Sequence, residues 1–393
     1  MPSPSNQIRN LKGQPMFQIL SLCQELERKG RKILHFELGD PDFNSPNNVV
    51  KAAVESIQRG NTHYQPSRGS NEFLEAIQET TSISRSFLPL KSQITVSTGA
   101  NAGIFYAFKS IFDYGDELLI PNPFFPSYIA AAHLSNAKTI FYPLSSENNF
   151  MPDIEVIESK ISSKTKAILI NSPSNPTGAV FSEGIIRKIY SLCEKYDLYL
   201  ISDEVYSRMI YDKKGKFFSP GSIDKCKERT IVINGFSKSF SMTGWRVGVV
   251  ISPENLSEKI TLISESIVSC VPGFVQDGAK TAIRSAQDIT NQMYSELHTR
   301  QLSICEQLSS VENIICNKPQ GAMYVFPCIK KIAKSSEKFA FHLLEETGMA
   351  CVPGVYFGSE GEGYLRFSAA SNSNNIKLIG PLLNQAIKTF IEN

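Results

Sequence analysis

From about residue 90 to residue 250 the chain alternates short apolar runs with longer stretches of helical period. The runs are ITVS (94–97), ELLIPN, Thr139 to Tyr142, KAILIN, Leu198 to Ser202 and Thr230 to Ile233. Their near-continuous apolar character is that of strands buried on both faces. Between them lie helical segments after Gly99, from about Asp153 and over 182–196, so the region predicts an α/β fold with a mostly parallel sheet covered on both faces, three layers deep. Ahead of it, Pro15 opens an amphipathic helix that Gly30 closes. A brief strand, ILHFEL, follows and breaks at GDPDF, and a second helix spans Asn48 to Arg59. Beyond Arg246 the pattern changes: one strand and helix, one or two long helices over 275–310, then mixed short elements. These are GAMYVFP, a helix near 336–346, MACVPGVYFG, YLRFSAAS and a closing helix from Ile376 to Glu392. They read as a smaller α+β unit that the amino-terminal arm joins, giving a large domain of 47–290 and a small one of 1–46 with 291–393. No linker or repeat separates the two.

Composition narrows the function classes. The 393 residues are 41% hydrophobic and 20% charged, with net charge +2, ordinary for a globular protein. No basic cluster offers a face for nucleic acid. The opening MPSPSNQIRNLKGQP lacks the apolar core of a signal peptide, and no run approaches the ~18 apolar residues of a bilayer span. The expected location is cytoplasmic. Eight cysteines lie scattered without a CxxC pair, and the five histidines stand apart in sequence, so free thiols and no metal are expected.

The candidate chemistry gathers in residues 198–248. A strand ends at Asp203 with Tyr206 three residues on; another leads to Ser237 and Lys238; Arg246 follows. Ligands of open α/β sheets bind at the strands' carboxyl edge, so an acid, a phenol, an amine and a guanidinium meet there. That set suits pyridoxal 5′-phosphate (PLP): a lysine forms the Schiff base with its aldehyde and a carboxylate keeps the pyridine nitrogen protonated. The phenol serves the ring's 3-oxygen, and the arginine clamps phosphate. Residues Gly99, Ala100 and Asn101, where a strand runs into a helix amino terminus, form a second phosphate seat. Neither GxxxxGK[ST] nor GxGxxG occurs there. Phe125, at the end of a strand, is placed to stack on a flat ring.

With SPSNPTG, SDEVY and SKSFSMTGWRVG in this order, and with LGDPDF and YLRFSAAS near the ends, the sequence resembles the class I/II aminotransferases, PLP enzymes of fold-type I. The resemblance implies a ping-pong transfer of an amino group between an L-amino acid and a 2-oxo acid. It implies Lys238 as the cofactor-bound lysine and general base, and Asp203 on the ring nitrogen. Asn175 and Tyr206 take the 3-oxygen, Arg246 with residues 99–101 the phosphate, and Phe125 the ring face. Arg366 grips the substrate carboxylate, with Gly39 helping through its backbone, and Asn175 is a substrate-binding residue as well. Tyr64 matches a tyrosine that reaches the neighbouring subunit's phosphate, which implies a homodimer with shared sites. One departure is Gly235, where many members carry a phosphate-binding serine; Ser237 is the candidate substitute. The same core residues also serve β-lyases, cyclases and synthases. Phe17, Phe125 and Tyr324 point to a neutral or aromatic substrate.

Overall fold

The computed structural model describes residues 2–9, 11, 13–211 and 217–390. The end of the expected closing helix and residues 212–216 of the site segment lie outside these. Seven strands form the central sheet: β1 (Ile94–Ser97), β2 (Glu117–Asn122), β3 (Lys138–Pro143), β4 (Thr165–Asn171), β5 (Tyr199–Asp203), β6 (Thr230–Gly235) and β7 (Gly248–Ile251). Their spatial order is β1-β7-β6-β5-β4-β2-β3. All neighbours run parallel except at β7, which is antiparallel to both β1 and β6. The expected α/β sheet is therefore present, with one strand reversed.

Strand periodicity decides which helix each residue meets, since successive side chains point to opposite faces. Leu118, Ile120, Ala167, Leu169 and Ile201 bury one face against Ile104, Ala107 and Phe108 of the helix Ala100–Ile111. Leu119, Ile168, Ile170 and Leu200 turn the other way, onto Ile186 and Ile189 of the helix Glu183–Lys195. Ser182 caps that helix by accepting from the Ile185 N–H, satisfying one of its free donors. Both faces are thus closed, and only strand ends remain for chemistry.

The carboxyl-terminal elements form an antiparallel three-stranded sheet of Val352–Pro353, Leu365–Ser368 and Tyr324–Val325. Beside it, Leu34–His35 pairs in parallel with Met349–Ala350. The amino-terminal arm is therefore stitched to the strand Met349–Ala350 of the carboxyl-terminal elements, and its next residues, Leu38 to Asp40, are carried across to the central sheet's carboxyl edge. The closing helix begins later than its apolar pattern predicts: a short turn at Ser373–Ile376 precedes the helix Ile379–Thr389. The long helical stretch divides into Gly273–Ser285 and Gln287–Ser309.

Candidate active site

A cavity of about 530 Å³ lies at the carboxyl edge of the sheet. It receives Gly39, Ala100, Asn101, Phe125, Asn175, Asp203, Tyr206, Ser237, Lys238, Arg246 and Arg366, eleven of the thirteen residues singled out from sequence. The other two are Gly99 and Tyr64. Gly99 backs the wall: its φ is +86°, and a Cβ there would stand 2.5 Å from Arg246 Nη2. Tyr64 is 87% exposed and does not line the cavity of its own chain.

Local structure explains these positions. β5 ends on Asp203 beside Asn171, the end of β4. Asn171 ties the two strands to the following turn: its Nδ2 donates to the Asp203 carbonyl over 3.2 Å, and its Oδ1 accepts from the Asn175 N–H at 2.9 Å. After β6, one helical turn (Phe236–Ser239) presents Lys238. Arg246 sits in the left-handed region at φ 53° just before β7, with Nη1 donating to the Thr243 carbonyl at 2.7 Å. A side chain at Gly235 would meet the Ala100 Cβ at 3.3 Å, so this glycine lets β6 lie close to the start of the helix Ala100–Ile111.

The electrostatics are uneven. Asp203 is 4% exposed and has no cationic partner among the described residues. Burial raises its carboxyl to about 6, held from rising further by the Tyr128 hydroxyl at 2.6 Å and the Val205 N–H at 3.2 Å. Lys238 is open to the cavity but enclosed by protein. That enclosure lowers its amine to about 8, against the attraction of Asp40 and with Arg366 and Arg246 adding to the decrease. Its Nζ donates to the Gly39 carbonyl. Arg366 is 1% exposed, sandwiched between the rings of Tyr324 at 4.5 Å and Phe357 at 5.1 Å. Its Nη2 donates to the Glu37 carbonyl, and its Nη1 lies 3.3 Å from Asn175 Oδ1. The Nε is buried and has no partner among the described residues.

The partners of two tyrosine hydroxyls are not readable from the sequence. Tyr128 holds the Asp203 carboxylate; a tyrosine in a helix's first turn carries no local signal that its hydroxyl faces an acid 75 residues on. Tyr324 was a pocket candidate, but its bond to Tyr206, hydroxyl to hydroxyl at 2.7 Å, was not foreseen. A Cβ at Gly39 would fall 2.0 Å from the Tyr324 hydroxyl, so only glycine allows this packing.

Comparison with known proteins places this geometry. Residues 31–379 match the family model described as aminotransferase class I and II. The chain is 37% identical to a (5-formylfuran-3-yl)methyl phosphate transaminase of Methanocaldococcus jannaschii, over 95% of this chain and 96% of that one. It is 36% identical to a probable aspartate/prephenate aminotransferase of Aquifex aeolicus, over 95% of each. The solved aspartate aminotransferase of Thermus thermophilus with maleate superposes with a TM-score of 0.94 at 28% identity, covering 98% of this chain and all of that one. These relatives favour amino-group transfer over lyase, cyclase or synthase chemistry. The chain belongs to the class I and II aminotransferases and is an enzyme of amino-group transfer.

Proposed function

We propose that the amino group passes between an L-amino acid and a 2-oxo acid by a ping-pong cycle on PLP held in this cavity by Lys238, Asp203 and Arg246. The observation that carries the reading is Asp203, a buried carboxylate raised to about 6 with no cation beside it. A protonated pyridine nitrogen is the partner such a group lacks. Gly99 and Gly248 support the phosphate end. A Cβ at Gly248 would stand 2.7 Å from the Ala100 amide nitrogen, so the helix amino terminus and Arg246 are drawn into one cradle.

When bound, PLP supplies an electron sink for the bonds at the substrate's α-carbon. The side chains supply the rest. Lys238 would hold the cofactor's aldehyde, and its amine would be the base that takes the substrate's α-proton and returns it; an amine near 8 is matched to proton transfer. Tyr206 and Asn175 would hold the ring's 3-oxygen, and Phe125 would cover a ring face. Arg366 grips the substrate carboxylate, and its unpartnered Nε supports that role: a buried guanidinium is costly until an anion completes it.

The only cations among the described lining residues are Lys238, Arg246 and Arg366, all assigned above. Met16, Phe17, Leu38 and Ile104 line the same space, which supports a neutral or aromatic substrate side chain. An acidic one needs a cation from a partner subunit. We further assign the working form as a homodimer in which Tyr64 reaches the partner's phosphate. In support, Tyr64 is exposed, and Val50, Val54 and Ile57 form an exposed apolar row at helical spacing. The large unit is assigned to 47–290 and the small one to 1–46 with 291–393, and the eight free cysteines suit a reducing cytoplasm.

The test is a half-reaction screen of amino acids, following the visible absorbance of the lysine-bound cofactor. Neutral or aromatic amino acids should discharge it fastest. In Lys238→Ala the absorbance and nearly all turnover should vanish; a variant that stays yellow refutes the lysine's assignment.

A further inference from the structure

We propose that Cys23, His35 and Glu37 form a binding site for one divalent transition-metal ion of the zinc class, outside the catalytic cavity, that clamps the amino-terminal helix to the arm leading to Gly39. One ligand atom from each residue, Sγ, a ring nitrogen and a carboxylate oxygen, falls within 4.8 Å of the others. Cys23 projects from the helix Pro15–Arg28, while His35 and Glu37 come from the strand that pairs with Met349–Ala350 and the residues just after it. The turn between helix and strand hides the cluster from any reading of local spacing, which is why no metal was expected from sequence.

The second observation is Glu37 itself. Its side chain is fully buried, its Oε1 meets His35 Nδ1 at 2.7 Å, and its Oε2 is enclosed with no partner among the described residues. An orphaned carboxylate oxygen is costly in a protein interior, and a cation is the partner it lacks. The donor set identifies the cation. Thiolate sulfur, imidazole nitrogen and carboxylate oxygen together suit zinc or a close neighbour, whereas magnesium and calcium take oxygen. Ligand atoms around a tetrahedral zinc stand ~3.3–3.7 Å apart, from bonds of ~2.0–2.3 Å, so small side-chain adjustments close the site. A fourth position is left for water.

Charge and protons balance. The ion displaces the thiol proton of Cys23 and any proton on His35 Nδ1 to solvent, and the thiolate and the Glu37 carboxylate offset its two charges. His35 then keeps its proton on Nε2, which already faces Glu27 Oε1 at 3.1 Å. A metal-bound histidine whose other nitrogen donates to a carboxylate is the usual supporting arrangement. Because the Glu37 carbonyl accepts from Arg366, and Leu38 and Gly39 line the cavity, the ion would stiffen the arm without touching the reacting groups.

The test uses the PLP-loaded enzyme dialysed against a chelator and titrated calorimetrically with zinc chloride. One equivalent per chain should bind, with affinity lowered ~100-fold in Cys23→Ser and in Glu37→Gln. Cobalt(II) should give a thiolate charge-transfer band that Cys23→Ser abolishes, and zinc should raise the melting temperature of the parent only. Melting curves and retained turnover of Cys23→Ser separate lost binding from lost folding. No stoichiometric uptake by the parent overturns the proposal, as does full uptake by both variants.

Discussion

Tyr128 donates a hydrogen bond to Asp203 across 2.6 Å, from the first turns of the helix Ser127–Leu134 to the end of β5. Burial is the larger influence on the carboxyl and raises it; the phenol opposes that rise. Removing the donor in Tyr128→Phe leaves the burial and takes away the opposition. A hydrogen bond to a charged group is worth ~2 kcal/mol, about one to one and a half pH units. The acid limb of PLP uptake by the cofactor-free enzyme should therefore move upward by about one unit. An unmoved acid limb shows that the phenol does not tune Asp203.

Asp203 should weaken the fold when the cofactor is absent. Its folded value, about 6, lies above that of an unfolded aspartate, so the folded state binds the proton more tightly. Stability is lost as pH rises from about 4 to about 6 and stays reduced above, by at most ~3 kcal/mol. Asp203→Asn carries no charge and escapes that loss. The cofactor-free variant should melt higher than the cofactor-free parent at pH 7.5 and about equally at pH 4, with its activity gone. Equal melting at both pH values would show that the buried charge is already compensated.

The sheet was legible because most of its strands are short apolar runs and the helices after Gly99, Asp153 and Ser182 begin at a glycine or a capping side chain, and these are local signals. Asp203, Lys238 and Arg246 were legible for the same reason: each follows directly on a strand or precedes one. Tyr128 and Tyr324 were not, since their roles depend on what each hydroxyl meets across the fold, a carboxylate for Tyr128 and the Tyr206 phenol for Tyr324. The Cys23–His35–Glu37 cluster escaped because its members come from two elements whose approach is set by the carboxyl-terminal strand Met349–Ala350. Tyr64 shows a different limit. Its assigned role concerns a second subunit, and a single chain displays only its exposure.

Arg366 offers a planar fork held between Tyr324 and Phe357, a geometry that lysine cannot copy. In Arg366→Lys a two-point grip on the substrate carboxylate becomes a single mobile charge. Loss of ~3 kcal/mol of such binding lowers kcat/KM about 100-fold. The effect should fall mainly on KM for both amino acid and oxo acid, with cofactor affinity unchanged. A KM within twofold of the parent would make Arg366 a structural residue only.

Gly99 tests the phosphate cradle. Its φ of +86° with ψ of 162° is a conformation that alanine adopts at a cost of ~1–3 kcal/mol, and the new methyl would press on Arg246 Nη2. Gly115 supplies the control: its φ is +92°, but a Cβ there meets nothing within 4 Å. Both Gly99→Ala and Gly115→Ala should lower the melting temperature by a few degrees. Only Gly99→Ala should also weaken PLP binding, by ~10- to 100-fold, because only there does the methyl displace the guanidinium assigned to the phosphate. Turnover at saturating PLP should remain near the parent's, since Lys238, Asp203 and Arg366 are untouched. Equal loss of PLP affinity in both variants would mean that general loosening, and not the contact between residues 99 and 246, governs cofactor retention.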